Sequence, residues 1–310
     1  MPIVLGVGVS YSPLLYRQRS AWPAVSRLLV GEVTQPKSRE KESEEVLSDY
    51  ERRIGASFEV ATEAIAKSRL DALIVITADR GDSFDASNVP QMHLQVGGEV
   101  WADPAIRDLG EPSRPVRFAC EETVGDLLAE ELVRSGFDLS EGRGTFKPLG
   151  KAGHGLGAAA SEAVGRLAAD IPIVPIHVNC HVEPTVTGAR LHSFGSALAA
   201  ASALASQRIG ILVSGGLSGD PEGAMAGWID EVLDRWVLSR VIRGQSEAIA
   251  GIWSARSRTL KGCSAEIRLW AVAAAALEHA KCRASVIDYM PIHHAATGVG
   301  FVMWEQASCR

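Results

Sequence analysis

The sequence is poor in several residue types, and each scarcity removes a class of function. Five cysteines, Cys120, Cys180, Cys263, Cys282 and Cys309, are scattered through 310 residues. None stands in a Cys-x-x-Cys pair, and the number is odd. That excludes a zinc-ribbon spacing and argues against a disulfide framework, so reduced thiols in a cytoplasmic protein are expected. Aromatics make up 6% of the chain and no basic run exceeds a few residues. The net charge is -6. Nucleic-acid binding needs a clustered basic face, and none is written here. No apolar run reaches the roughly 18 residues of a membrane span. The nearest candidate, around Trp270 to Leu277, is alanine-rich and flanked by Arg268 and Glu278, as a buried helix would be. The opening Met1-Pro2-Ile3-Val4-Leu5-Gly6-Val7 lacks a basic n-region and reads as a buried first strand rather than a signal peptide.

What is present is an ordinary globular balance, 46% hydrophobic and 22% charged. Continuous apolar, β-branched runs occur at Ile3 to Val9, Ala72 to Thr77, Ile173 to Val178 and Ile209 to Ser214. Such runs are the pattern of strands covered on both faces. Long helical stretches separate them: Ser38 to Arg69, with Phe58, Ala61 and Ile65 at helical spacing, then Glu121 to Ser135 and Thr185 to Ser206. Strands alternating with helices predict an α/β fold with a central, mostly parallel sheet flanked by helices. The C-terminal third is expected to be mostly helical, through Glu222 to Arg243, Gln245 to Ser254 and Ser264 to Lys281. Gly81 to Pro115 is the most loop-like stretch. With no repeat and no linker, residues 1–310 read as a single domain.

Several segments, in chain order, resemble one enzyme family. Ser10-Tyr11-Ser12-Pro13 is similar to its Ser-His-Ser-Pro turn, and Ala78-Asp79-Arg80 with Phe84 to its Pro-Asp-His…Phe turn. Gly153-His154-Gly155 resembles its Asp-His-Gly. The run Ile173 to Asn179 resembles its Val-Pro-Val-Phe-Ile-Asn strand, and Ser214-Gly215-Gly216-Leu217-Ser218-Gly219 its Ser-Gly-Gly-Leu-Ser-His. Glu266-Ile267-Arg268-Leu269-Trp270 is similar to the helix that carries a metal carboxylate, and Tyr289 to Phe301 to the C-terminal segment. These are the marks of the class III extradiol ring-cleavage dioxygenases. The single-chain 2,3-dihydroxyphenylpropionate 1,2-dioxygenase type is the nearest in pattern, and the β chain of protocatechuate 4,5-dioxygenase is also similar.

The resemblance implies Fe(II) held by two histidines and a carboxylate, with further histidines for acid–base work. Here the inherited ligand positions carry Tyr11, Arg80 and Glu266, and the acid–base histidine after Gly-Gly-Leu-Ser is replaced by Gly219. An arginine has no lone pair for a metal. Its charge beside the site disfavours a dication. The expectation is therefore an enzyme without a cofactor, with Fe(II) only if the inherited site still works. It would act on a phenolic, enolic or carboxylated aromatic-derived anion by lyase, hydrolase or isomerase chemistry. His154, Tyr11 and Glu266 are the candidate catalytic residues. Arg80, His177 and Asp79 are the candidate substrate-binding residues, and no metal site is assigned.

Plainer readings stand beside these. Arg80 could be an anion hook or a salt bridge to Glu266 or Asp79 that fills the old metal site. Tyr11 could fill the void left by iron, His154 could be a loop histidine, and Glu266 a first-turn acid favoured by the helix dipole. Asp220 reads as a turn residue before Pro221, and His293-His294 as structural or exposed. His177 and His181 lie near a strand end and a turn. A homo-oligomer is expected. Two other functions remain open: a non-catalytic partner of an iron-bearing homologue, and a ring-cleaving dioxygenase with an altered metal site.

Overall fold

A computed structural model describes residues 2–31, 42–85, 87–143, 155–219, 226–253 and 260–306. The four apolar runs form strands with the bounds read from sequence: β1 (Ile3–Val9), β2 (Ala72–Thr77), β7 (Ile173–Val178) and β8 (Ile209–Ser214). β2, β7 and β8 are buried at every position. The reason is their place in the middle of an eight-stranded sheet of order β6-β3-β7-β2-β8-β1-β10-β9. β7, β2, β8 and β1 run parallel to one another. The edges are antiparallel where β10 (Thr297–Gln306) meets β1 and β9 (Cys282–Ile292), and where β3 (Met92–Gln95) meets β7. β6 (Ser140–Gly142) closes the far edge, parallel to β3.

Alternate residues of these strands feed two hydrophobic layers. Ile74, Ile76, Ile211 and Val213 face one layer, while Leu73, Val75 and Leu212 face the other. The first layer is packed by α3 (Glu122–Arg134), α5 (Gly188–Ser202), α7 (Ser246–Gly251) and α8 (Ile267–His279). The second is packed by α1 (Trp22–Val30), α2 (Glu44–Ser68) and α4 (Ala158–Leu167). Residues 267 to 277 of α8 are buried all round. This helix sits very close to β1 because Gly6 and Gly8 have no side chains to hold it off. A Cβ at Gly8 would lie 2.8 Å from the Trp270 ring.

Two stretches differ from the sequence reading. The region read as loop contains β3 and a small antiparallel pair, β4 (Glu99–Ala102) with β5 (Val116–Ala119). These strands are four residues each, too short to show a period against the surrounding Gly and Pro. The helical stretch ends at His279, after α6 (Glu231–Ile242), α7 and α8, and the described chain finishes as the β9–β10 hairpin. Gly298 and Gly300 interrupt the apolar alternation of β10, which hides it as a strand. Gly298 leaves room for the Asp234 carboxylate and Gly300 for Leu217. Helix α2 begins later than the predicted Ser38 and α5 later than the predicted Thr185; Ser43 caps α2 by accepting from the Val46 N–H at 3.4 Å.

Candidate active site

In a parallel sheet the loops that follow the strands gather at one edge. Here the segments after β2, β7 and β8 (Asp79-Arg80, Asn179-Cys180-His181 and Gly215 to Gly219) meet the short 3-10 turn Gly262–Glu266 that leads into α8. The focus is Glu266. It is 1% exposed, and both carboxylate oxygens are engaged. Arg80 Nε donates to Oε1 at 2.7 Å, His181 Nε2 to the same oxygen at 2.9 Å, and the Gly216 N–H to Oε2 at 2.6 Å. Gly216 is required there: a Cβ would lie 2.6 Å from that of Cys263.

Burial alone would raise the Glu266 pKa. The charge of Arg80 and the hydrogen bond from His181 overcome it and hold the carboxyl at about 2. An ionised carboxylate only accepts hydrogen bonds, so His181 presents Nε2–H to it. The other ring nitrogen, Nδ1, has no hydrogen-bond partner among the described residues. The side chain of Asn179 fixes the loop that carries the ring, with Oδ1 accepting from the N–H groups of His181 and Val182 at 3.2 and 3.0 Å. His181 also lines a cavity of about 490 Å³ beside Glu266, walled by Cys180, Thr185, Leu260, Ala265 and Arg268.

The structure brings Arg80 and Glu266 into direct contact, so the salt bridge weighed in the sequence is formed. Arg80 Nη2 also lies 3.6 Å from Cys263 Sγ. Tyr11 is placed elsewhere in polar terms: its hydroxyl donates to Glu162 at 3.1 Å. Arg17 Nη1 donates to the other Glu162 oxygen at 2.5 Å, and Arg17 Nε donates to Glu111 at 2.8 Å. Burial pushes the Glu162 carboxyl up to about 7 despite Arg17, and desolvation raises the Tyr11 phenol well above its usual range. Asp79 caps the turn after β2, accepting from the N–H groups of Gly81, Ser83 and Phe84 at 3.0, 2.7 and 3.2 Å. His177 is 6% exposed, packed edge-on against Phe84 and beside His93, with neither ring nitrogen hydrogen-bonded. Burial lowers its pKa to about 4. His154 and Asp220 lie outside the described residues. His181 was passed over in the sequence, although its place three residues beyond a parallel strand was a signal that could have found it.

Against the scan of family models, residues 29–300 match the catalytic LigB subunit of aromatic ring-opening dioxygenase. The chain belongs to this family. Among curated proteins, a 2,3-dihydroxyphenylpropionate/2,3-dihydroxicinnamic acid 1,2-dioxygenase of Rhodococcus jostii (strain RHA1) is 27% identical over 168 residues, 54% of this chain and 49% of that protein. A protein of the same name from Rhodococcus sp is 24% identical over the same shares. The chain thus spans about half the length of the curated relatives it matches. An uncharacterized protein of Escherichia coli K12, JW3007, shares the fold with a TM-score of 0.50 and 11% identity, over 97% of this chain and 99% of that one.

This family uses iron, but the residues at the inherited positions do not fit Fe(II). Arg80 has no lone pair to give, and its Nε–H fills one oxygen of the sole carboxylate. Tyr11 is directed to Glu162. A Cβ at Gly219 would collide with the Ala296 carbonyl, so a histidine cannot stand there on this backbone. Among the described residues no group of three His, Cys, Asp or Glu side chains is placed to hold a metal.

Proposed function

We propose that this family member is an enzyme that moves protons on a small phenolic, enolic or carboxylated aromatic-derived anion, without the inherited iron. We take the chain to work as one domain, in the cytoplasm. The observation that carries the reading is the His181–Glu266 hydrogen bond at 2.9 Å beside the 490 Å³ cavity. A buried carboxylate that fixes one histidine tautomer leaves the other nitrogen as a base, the arrangement general acid–base catalysis needs. Arg80 balances the Glu266 charge, so Glu266 stays ionised and holds the ring rather than titrating with substrate. Enolisation of a ketone or tautomerisation of a dienol is the chemistry such a pair supports, and isomerase or lyase reactions begin with that step.

Two measurements test it. Enolisable arylketo acids are incubated in D₂O and exchange at the carbon beside the carbonyl is followed by NMR. The expected result is exchange that falls at least ~100-fold in His181→Gln, the range of a general base. Exchange unchanged in that variant defeats the reading. Separately, the protein is reconstituted anaerobically with Fe(II) and assayed for iron and for oxygen uptake with catechols. Near-stoichiometric iron that is lost in Glu266→Ala would restore ring cleavage as the activity.

A further inference from the structure

Arg268 is a buried cation, 5% exposed, with no ion-pair partner among the described residues; the acid acting on it is exposed Glu183. The guanidinium lies over Trp253, with Cζ 3.6 Å from the ring centroid. Two of its five N–H donors are placed: Nη1 to the Ala265 carbonyl at 3.2 Å and Nη2 to Thr185 Oγ1 at 3.0 Å. Nε is buried and has no partner among the described residues. The contrast within the molecule is sharp. Arg17 is also enclosed but sits on Glu111 and Glu162, which hold its pKa up against burial. At Arg268 burial prevails and the pKa is lowered. A buried charge left unpaired is strongly unfavourable in a finished core. It is tolerated where a ligand completes it.

The surroundings fit that view. Arg268 lines the cavity that also reaches His181, and exposed Lys261 stands on the same wall. Glu183 is the acid among the lining residues and is itself exposed, while Leu260, Ala265 and Cys180 supply apolar surface. The volume of about 490 Å³ lies within the usual range for small-molecule sites. Arg80, by contrast, already has Glu266 on its Nε. It is the less suitable hook.

We infer that Arg268, backed by Lys261, is the subsite for the carboxylate of an organic acid whose apolar body fills the cavity and whose reacting carbon faces His181. A single stacked guanidinium suits a planar carboxylate, which it grips with two parallel N–H donors. A phosphate dianion would call for more donors than this wall carries. The inference rests on the proton-transfer reading only for the position of the reacting carbon. The anion subsite is tested by binding alone.

Isothermal titration of the full chain compares 3-phenylpropionate and benzoate with their primary amides and with inorganic phosphate. The expected result is carboxylates bound at least ~10-fold more tightly than amides, as a charge-assisted pair provides. Arg268→Gln removes that preference, and Arg268→Lys restores part of it. Lys261→Ala, a change at an exposed position, weakens the acids a few-fold and leaves the amides alone. Equal binding of acid and amide by the unaltered protein overturns the subsite, and that comparison needs no variant to fold. Phosphate bound as tightly as 3-phenylpropionate overturns the organic-acid assignment. Unchanged binding in both Arg268→Gln and Lys261→Ala shows the acid to be held elsewhere and also overturns it. A subsite confirmed in this way alongside deuterium exchange that ignores His181 would leave the anion site standing and the proton-transfer reading defeated.

Discussion

Replacing Arg80 by methionine leaves Glu266 buried with two of its three partners. The wild-type carboxyl is held at about 2 against an ordinary 4.5. At ~1.4 kcal/mol for each pKa unit, that shift corresponds to about 3 kcal/mol of native stability at neutral pH. The Arg80 side chain is 36% exposed, so solvent screens its share, while His181 and the Gly216 N–H remain. We therefore expect Arg80→Met to cost about 2 kcal/mol at pH 7, or a melting point lower by roughly 3 °C for a chain of this length. The sign of the pH dependence follows. A depressed carboxyl stabilises the native state above its unfolded pKa and loses that contribution as pH falls through its folded one. In Arg80→Met the carboxyl of Glu266 takes up its proton at higher pH than in the wild type. The difference between the two proteins should accordingly hold at neutral pH and shrink as pH is lowered from about 4.5 towards 2. The assay is urea or thermal unfolding of both at several pH values, with Arg80→Met/Glu266→Gln as the fourth corner of a cycle. The double variant should cost less than the sum of the singles by ~0.5–3 kcal/mol. A deficit below ~0.5 kcal/mol that is the same at every pH, or strict additivity, would refute the buried pair as the organising contact.

Other expectations follow from the same contacts. His177→Leu removes two buried nitrogens that have no partner among the described residues, so it should be neutral or stabilising at pH 7. With its pKa lowered to about 4, His177 supports the native state above about 6.5 and withdraws that support as pH falls towards 4. The leucine variant should lose less stability over that window, and a variant as acid-sensitive as the wild type contradicts this. Tyr11→Phe deletes one hydrogen bond to Glu162 and should cost ~1–2 kcal/mol in a melting experiment, with deuterium exchange altered less than about three-fold; a collapse of exchange would return Tyr11 to the reaction. Gly219→His should lower stability by ~2 kcal/mol or more and recruit no iron, because the added Cβ meets the Ala296 carbonyl. Elemental analysis showing bound iron in that variant would prove the backbone more adaptable than argued.

Much of this molecule was legible in its sequence. Mostly apolar runs marked the four inner strands to the residue, since strands covered on both faces carry few polar positions. The ordered motifs from Ser10 to Trp270 pointed to the family, and the absence of lone pairs on Arg80 was enough by itself to cast doubt on the iron. The outer strands β3 and β10 were not legible. Their residues become strands only by pairing with β7 and β1, and in β10 the glycines that make room for Asp234 and Leu217 break the pattern. The site divides along the same line. Sequence named Arg80 and Glu266 but could not decide whether they touch. It named Tyr11 without showing that Glu162, 151 residues away, takes its hydroxyl. The place of His181 just beyond a strand was a hint, but nothing local shows that its ring meets Glu266, 85 residues on, and nothing local sets Arg268 apart from an ordinary helix arginine. Which donor meets which carboxylate, and which cation lacks an ion pair among the described residues, depends on distances between segments far apart in the chain, and the tertiary structure alone fixes those.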